Sequence, residues 1–409
     1  MKTHFKNSIF ILFLLLSGSL MAQWVNINAP TLAVGNSIYF ASADTGYMVT
    51  SDFNNGGGIW KTTNGTNWTS QLTPNDYLFA VHFISSEVGW AAGGVIGGGV
   101  IMKTSDGGAT WNVQTDSCEQ IMSIFFVNDS MGWAAANDAT QGTYFIYHTS
   151  DGGAHWALQQ TGGDYVRAVF FVSATTGWIA GDNGRIYGTS NGGVSWNLLT
   201  NGIVCHFNDI QFINDTLGWA VGSYVDGKCF KTIDGGANWL PQTLPVIDPV
   251  TSVDFISNNM GWICGSNGLV LITYDGGATW QQELSSTSNH LNSIHMLNAN
   301  VGYATGANGT VIKYSNPVTV NSKDNSGISI YPNPNTGIFE LKFDEYTSAS
   351  KLVEAELCTI DGCYLGIIDL KGIMHSRTID LSSYPNGIYV LKLKTRHEVS
   401  MHRICITKT

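Results

Sequence analysis

The groups that could do chemistry are few and scattered. Between Gln23 and Asn316 the connections between apolar runs carry Asp76, Tyr77, Glu119, Asp164, Tyr165, Arg167, His206, Asp209, Asp248 and His290. Two carboxylates of this set, such as Asp164 with Asp209, would serve as general acid and base for glycoside hydrolysis if they met about 5 to 10 Å apart over a sugar-sized cleft. No motif fixes their spacing, so no catalytic residue is assigned. Tyr77, Glu119, Asp164, Tyr165, Arg167, His206, Asp209 and His290 are instead expected to line a ligand-binding loop face. His82, His148 and His295 fall inside runs that read as strands and are expected to be structural. The seven cysteines form no Cys-x-x-Cys, which argues against zinc and dithiol chemistry and leaves pairing open, Cys205 with Cys229 included. Gly93 to Gly99 has no helical pattern after it and does not read as a phosphate cradle. No cofactor and no metal site is expected.

What positions these groups is a repeat. Lys103-Thr-Ser-Asp-Gly-Gly-Ala-Thr-Trp111 returns at 148–156, 188–196, 231–239 and 272–280, with a shortened copy at 61–68. The tryptophans of these boxes, Trp68, Trp111, Trp156, Trp196, Trp239 and Trp280, are separated by 43, 45, 40, 43 and 41 residues. That period suits one propeller blade of about 40 to 45 residues. Upstream of the boxes runs a second phrase, an apolar stretch, a polar turn and Gly-Trp, ending at Trp90, Trp133, Trp178, Trp219 and Trp262, with Tyr47 and Tyr303 in weaker forms. Seven such phrases against six boxes leave one outer strand missing. Trp24, 44 residues before Trp68, is in phase to supply it and to close a ring of seven four-stranded units.

The box chemistry reads as structural. Asp106, Asp151, Asp234 and Asp275 would accept hydrogen bonds from the turn amides, glycine would take positive φ, and tryptophan would cover apolar area with its N–H on a backbone carbonyl. Asn64 and Asn191 replace two of the aspartates. An acceptor tolerates that exchange and a calcium site does not tolerate it readily.

Charge narrows the partners. Residues 23–316 hold 20 Asp and Glu against 7 Lys and Arg, a balance that repels nucleic acid and anionic lipid. Residues 1–22, with Lys2, Lys6, an apolar run from Ile9 to Leu16 and small residues before Gln23, read as a cleavable signal peptide, so no transmembrane segment is expected in the mature chain.

Through these boxes the region 24–315 resembles the BNR or Asp-box repeat in the arrangement of photosystem II stability and assembly factor-like propellers. The resemblance implies an all-β fold, a seven-bladed β-propeller closed by its N-terminal strand. Sialidases share the box but use an arginine triad, and this region has only Arg167 and Arg185. Xyloglucanase-type hydrolases use paired aspartates between two propellers, and one is expected here. The assembly factors bind a partner through a basic patch that this acidic region lacks. A non-catalytic binding or scaffold role is therefore the expectation, with a glycan-degrading hydrolase as the alternative. After a linker, 317–327, alternating strands predict a small immunoglobulin-like β-sandwich over 328–409. Tyr331-Pro332-Asn333-Pro334 with Gly337, the Asp361-Gly362 turn, and Gly387 with Tyr389 resemble the type A sorting domain of the type IX secretion system. That implies a Bacteroidetes-type host, the secretion machinery as partner, and a product released or anchored at the outer-membrane surface.

Overall fold

The computed structural model describes residues 23–27, 31–52, 56–95, 98–138, 140–200, 202–315, 328–333, 335–343, 352–359, 364–369, 376–385, 387–395 and 399–406. The expected signal segment 1–22, the linker 317–327, Pro334 and the Asp361-Gly362 turn lie outside the described residues.

Between Gln23 and Ser315 the described residues form seven four-stranded antiparallel sheets. Sheet 1 takes Val34–Phe40, Gly46–Asp52, Gly56–Thr62 and Trp68–Leu72 in chain order. Sheets 2 to 6 repeat that order over 78–118, 120–163, 166–198, 206–242 and 250–283. Sheet 7 takes Leu291–Asn298, Val301–Gly306 and Val311–Ser315, and its fourth strand is Gln23–Ile27, with Trp24 opposite Tyr314. First strands of successive sheets touch, and that of sheet 7 also touches that of sheet 1. There the Asn292 amide donates to Gly35 O at 2.9 Å and the Tyr303 hydroxyl to Ala43 O at 2.7 Å. Second strands such as Gly132–Asp138 are buried along their whole length, because sheets cover both of their faces. Small residues such as Ala134, Ala135 and Ala136 fit that position.

An aromatic triplet binds each sheet to the one before it at six of the seven junctions. Phe126, ending the first strand of sheet 3, stacks face to face on Trp90 of sheet 2 at 3.5 Å and takes the edge of Trp156 at 5.8 Å. The same geometry recurs for Phe83, Phe171, Phe212, Phe255 and Phe40. Such pairs add to the burial of large rings. The seventh junction puts Met296 where phenylalanine would stand and fills the space with Trp24, Trp262 and Tyr314.

The indole hydrogen bonds fall on a different tryptophan from the one the boxes suggest. Nε1 of Trp68, Trp111, Trp156, Trp196, Trp239 and Trp280 has no hydrogen-bond partner among the described residues. Each box indole from Trp111 onward is laid over the second glycine of its own turn, where a Cβ would come within 3.2 to 3.5 Å of Nε1. The donors are four of the five Gly-Trp indoles: Trp90, Trp133, Trp178 and Trp219 donate to Gly152, Gly192, Gly235 and Gly276 of the following sheet's box at 2.9 to 3.1 Å. Tyr47 does the same through its hydroxyl to Gly107 O at 2.9 Å. Lys61, Lys103, Lys231 and Lys313 lie 5.1 to 5.6 Å over the rings of Tyr47, Trp90, Trp219 and Tyr303.

Within a box, Asp106 Oδ1 accepts from the Thr110 amide at 2.8 Å and the Thr104 hydroxyl at 2.9 Å, while Thr104 Oγ1 accepts from the Gly108 amide at 2.8 Å. Gly107 and Gly108 take φ of 65° and 84°, which glycine adopts without a Cβ penalty. The Thr110 hydroxyl and amide hold the Asp106 carboxyl down at about 2. Asn191 keeps the pattern, accepting from the Ser195 amide at 3.0 Å and donating to its hydroxyl at 2.9 Å. Asp106→Asn should therefore leave the melting curve nearly unchanged, whereas Asp106→Ala should lower the melting temperature because the turn amide loses its acceptor. Thermal unfolding of both variants checks this; loss of a bound calcium on Asp106→Asn would contradict the structural role.

The tail builds two sheets, one from Ile328–Tyr331, Ile338–Phe343 and Ser376–Asp380, the other from Tyr364–Ile367, Leu352–Thr359, Gly387–Thr395 and Val399–Ile406. They share a core that includes Phe339, Leu341, Leu357, Tyr389 and Leu391. The motif residues have structural tasks: Gly337, at φ 103°, donates its amide to Asn335 Oδ1 at 2.8 Å, and the Tyr389 hydroxyl donates to Pro385 O at 2.9 Å. Tyr331, Pro332 and Asn333 are exposed.

Candidate functional site

Connections from fourth strand to first and from second to third share one end of every sheet, opposite the boxes. In sheets 4, 6 and 7 the second connection is the turn Gly181-Asp182-Asn183-Gly184, with counterparts at 265–268 and 306–309. Its asparagine takes a left-handed φ of 55° to 57° and reaches across to the other connection. Asn183 Nδ2 donates to Asp164 Oδ1 at 2.6 Å, Asn267 to Asp248 at 2.7 Å and Asn308 to Asn289 at 3.1 Å. Asp164 and Asp248 are thus acceptors that fasten two loops together.

The residue before that asparagine decides what each turn presents. In sheet 4 it is Asp182, and its carboxylate gathers a charged cluster. Arg167 Nε donates to Asp182 Oδ1 at 2.7 Å and Nη2 to Oδ2 at 3.3 Å, while His206 Nδ1 stands 3.1 Å from the same Oδ1. Arg185 Nε donates to Asp164 Oδ2 at 3.3 Å beside them. Both guanidinium groups remain partly exposed. The His206 ring stacks at 5.7 Å and 21° on Tyr224, from the second-to-third connection of sheet 5. Tyr224 is 61% exposed, its neighbour Val225 82% and Ile247 79%, and Gly227 N donates to Ile247 O at 3.1 Å, joining those loops. Val204 is exposed just before His206. The result is an apolar shelf beside two arginines whose charges are largely matched by two aspartates, a surface suited to recognition and without a free acid or nucleophile in the cluster.

Of the residues picked from sequence, Asp164, Arg167 and His206 meet here, and the Tyr165 carbonyl, next to Asp164, accepts from Asp182 N at 2.8 Å. Tyr77 lies at sheet 2 against Phe79, Glu119 at the start of sheet 3, and His290 at sheet 7, where its Nδ1 is 3.0 Å from the Ser266 hydroxyl and burial lowers its pKa. Asp209 does not pair with Asp164. It belongs to the wall formed by the first strands, where Oδ2 accepts from the Ser252 hydroxyl at 2.9 Å and Val253 N at 3.0 Å and Oδ1 from Ile210 N at 2.9 Å. Although the residue is only half-buried, surrounding protein desolvates the carboxyl and pushes it up to about 6 against the pull of those bonds. Two residues further along the neighbouring first strand, Asp254 accepts from Gln211 Nε2 at 2.7 Å and lies 3.9 Å from His295 Nδ1. Burial raises its pKa as well.

The histidines behave as structural groups. His82 Nε2 lies 3.1 Å from Phe126 O and burial pushes its pKa down to about 4; His295 Nε2 lies 3.2 Å from Phe40 O. His148 rests on Trp133 at 5.2 Å. Cys205 and Cys229 are buried free thiols, the former pushed up to about 12 by burial. Among the described residues no group of three or more His, Cys, Asp or Glu could hold a metal ion.

Sequence missed Asp182, Arg185, Tyr224 and Asp254. The first had a signal: Gly-x-Asn-Gly occurs at 181–184, 265–268 and 306–309, with an acid at x only once.

Comparison with known proteins bears on fold and on the tail. Residues 200–291 and 249–315 match the family described as photosynthesis system II assembly factor YCF48, and residues 329–407 match the secretion system C-terminal sorting domain. No curated protein matches the chain by sequence. Among solved structures it is similar to YCF48 bound to D1 peptide, at 19% identity and TM-score 0.59, over 72% of this chain and 97% of that one. YCF48 from Cyanidioschyzon merolae is similar at 18% identity and TM-score 0.59, over 72% and 99%. The GH74 enzyme of Niastella koreensis is similar at 15% identity and TM-score 0.57, over 93% of this chain and 67% of that one. No described helix is long and apolar enough to cross a membrane. The chain thus has an all-β propeller-type fold that carries the YCF48 assembly-factor repeat over residues 200–315, followed at residues 329–407 by a secretion-system sorting domain, which implies export to the cell surface or beyond.

Proposed function

We propose that this protein is a non-catalytic binding propeller, exported by the type IX secretion system, that takes a protein or peptide partner on its loop face over sheets 4 to 6. The seven sheets are read as seven blades of one ring closed by Gln23–Ile27, and residues 328–409 as an immunoglobulin-like address removed or used for anchoring at the outer-membrane surface. Residues 1–22 serve as the signal peptide and 317–327 as the linker. The observation that carries the binding role is the juxtaposition of Arg167, Asp182, His206 and Tyr224 with exposed Val225 and Ile247. Exposed apolar groups rimmed by charge mark interaction sites, and aromatic and arginine side chains supply most binding energy there. YCF48 bound to D1 peptide is a precedent for a peptide on this fold. The hydrolase alternative draws on the GH74 likeness, but it needs two carboxylates facing each other, and Asp164 and Asp209 are each committed to other partners.

The test is an array of short peptides and a panel of polysaccharides presented to the whole protein. A peptide hit should weaken by about tenfold or more, roughly 1.4 kcal/mol, in Arg167→Ala and in Tyr224→Ala with the melting temperature held. Hydrolysis of a polysaccharide, or a hit indifferent to both substitutions, would overturn the reading.

A further inference from the structure

Sheet 1 breaks the repeat at its loop end, far in sequence from the charged cluster of sheets 4 and 5. Trp60 stands opposite Met48, at the register where the other sheets carry Met102, Tyr147, Tyr187, Phe230, Leu271 and Ile312. Two residues before it is Gly58, where those sheets carry Val100, Phe145, Arg185, Lys228, Leu269 and Thr310. The larger ring and the deleted side chain come together in one sheet. At that end of the sheet opens a cavity of about 430 Å³, lined by Thr31, Thr50, Asp52, Trp60, Thr73 and Asn75 together with the glycine run. A volume of this order falls within the range of small-molecule sites, about 300 to 1,000 Å³.

Its surfaces are built and not incidental. Trp60 Nε1 donates to Thr50 Oγ1 at 3.3 Å, which fixes the indole, and the buried Thr50 in turn faces Gly58 O at 3.5 Å. A Cβ on Gly58 would sit 2.6 Å from Trp60 Nε1 and 2.8 Å from Thr50 Oγ1, so any side chain there would push into the lining. Thr31 holds its loop by accepting from Ala33 N at 3.1 Å.

We infer that this cavity is a binding site for one neutral pyranose sugar, free or at the end of a glycan. The indole offers an apolar surface to the C–H face of a pyranose, and the Thr31 and Thr73 hydroxyls, the Asn75 amide and the Asp52 carboxylate offer donors and acceptors for ring hydroxyls. Among the described residues no lysine, arginine or histidine lines it, so a phosphate or carboxylate ligand would find no counter-charge on its walls. A single aromatic wall among mostly neutral groups is not the multi-ring cage that takes quaternary ammonium ions.

Saturation-transfer NMR and calorimetry on the whole protein test this with glucose, galactose, mannose, xylose and N-acetylglucosamine, and with choline as the cationic probe. At least one neutral sugar should bind saturably; Trp60→Leu and Gly58→Val, which install the residues of sheets 6 and 2, should each weaken it by about tenfold or more, and Trp60→Phe should retain part of the affinity. Melting curves accompany every variant, and Thr73→Val reads the same cavity if either substitution unfolds the protein. Binding of none of the five sugars, binding of choline in their place, or unaltered affinity in folded Trp60→Leu or, failing that, in Thr73→Val overturns the assignment.

Discussion

Trp24→Ala should cost about 3 to 5 kcal/mol, the largest loss expected from any single substitution outside the aromatic triplets. The indole is fully buried, packs on Tyr314 at 5.0 Å and donates Nε1 to Glu283 Oε2 at 2.9 Å. Its removal leaves a cavity among Trp262, Met296 and Ile312, and takes a donor from a carboxylate whose pKa burial already raises. The strand Gln23–Ile27 is also the outer partner of Val311–Ser315, so weakening it exposes an edge with unpaired amides and carbonyls. A melting temperature lower by roughly 10 °C is the expected reading. An unchanged melt would mean that the pairing of Gln23–Ile27 with Val311–Ser315 contributes nothing to stability, and the proposed ring closure would fall with it.

That strand is also the part of the fold that sequence revealed over the longest range, and the reason is periodicity. Trp24 sits one period before Trp68, and a repeat array fixes each member by phase even when 290 residues separate the paired Trp24 and Tyr314. Box turns were legible for a more local reason: Asp, two glycines and a hydroxyl within five residues satisfy one another, as Asp106, Gly108 and Thr110 do with Thr104. What was not legible is direction across sheets. Nothing in the spacing tells that Trp90 reaches a neighbour's glycine carbonyl while Trp111 reaches none, because that depends on which edge of the ring turns toward the adjoining sheet.

The loop face divides in the same way. Arg167 and His206 were picked as exposed groups on connections, yet their meeting depends on Asp182, placed by a turn whose left-handed Asn183 lies within a three-residue segment. Asp209 was placed on the connections between apolar runs. It is instead the fourth residue of His206–Phe212, and its place among the first strands is that of Ser37, Ser123, Ser252 and Ser293. Lining up those strands residue by residue would have exposed the substitution.

Asp209→Ser should for that reason stabilise the protein. Each of the four serines accepts the amide of the next first strand, at Val81, Val169, Ile294 and Ile38, over 3.2 to 3.4 Å. Serine at 209 can take the Val253 amide in the same manner, so the acceptor is kept while a desolvated charge is removed. With the folded carboxyl at about 6 and the unfolded one near its ordinary 3.8, the native state holds the proton more tightly than the unfolded chain. The penalty is therefore absent below about pH 4, grows as pH rises through 6, and is complete above it, where it amounts to about 1 to 3 kcal/mol. The variant should gain stability of that order at pH 7.5 and lose the advantage as the pH is lowered toward 4. Neighbouring Asp254 and His295 are present in both proteins, and their contributions largely cancel from the difference. Denaturant unfolding of both proteins at a series of pH values reads the gain directly. A loss at pH 7.5 would show that the charged carboxylate is held by its three donors more firmly than its burial opposes it, and a gain that persisted at pH 4 would show that it does not come from removing a charge.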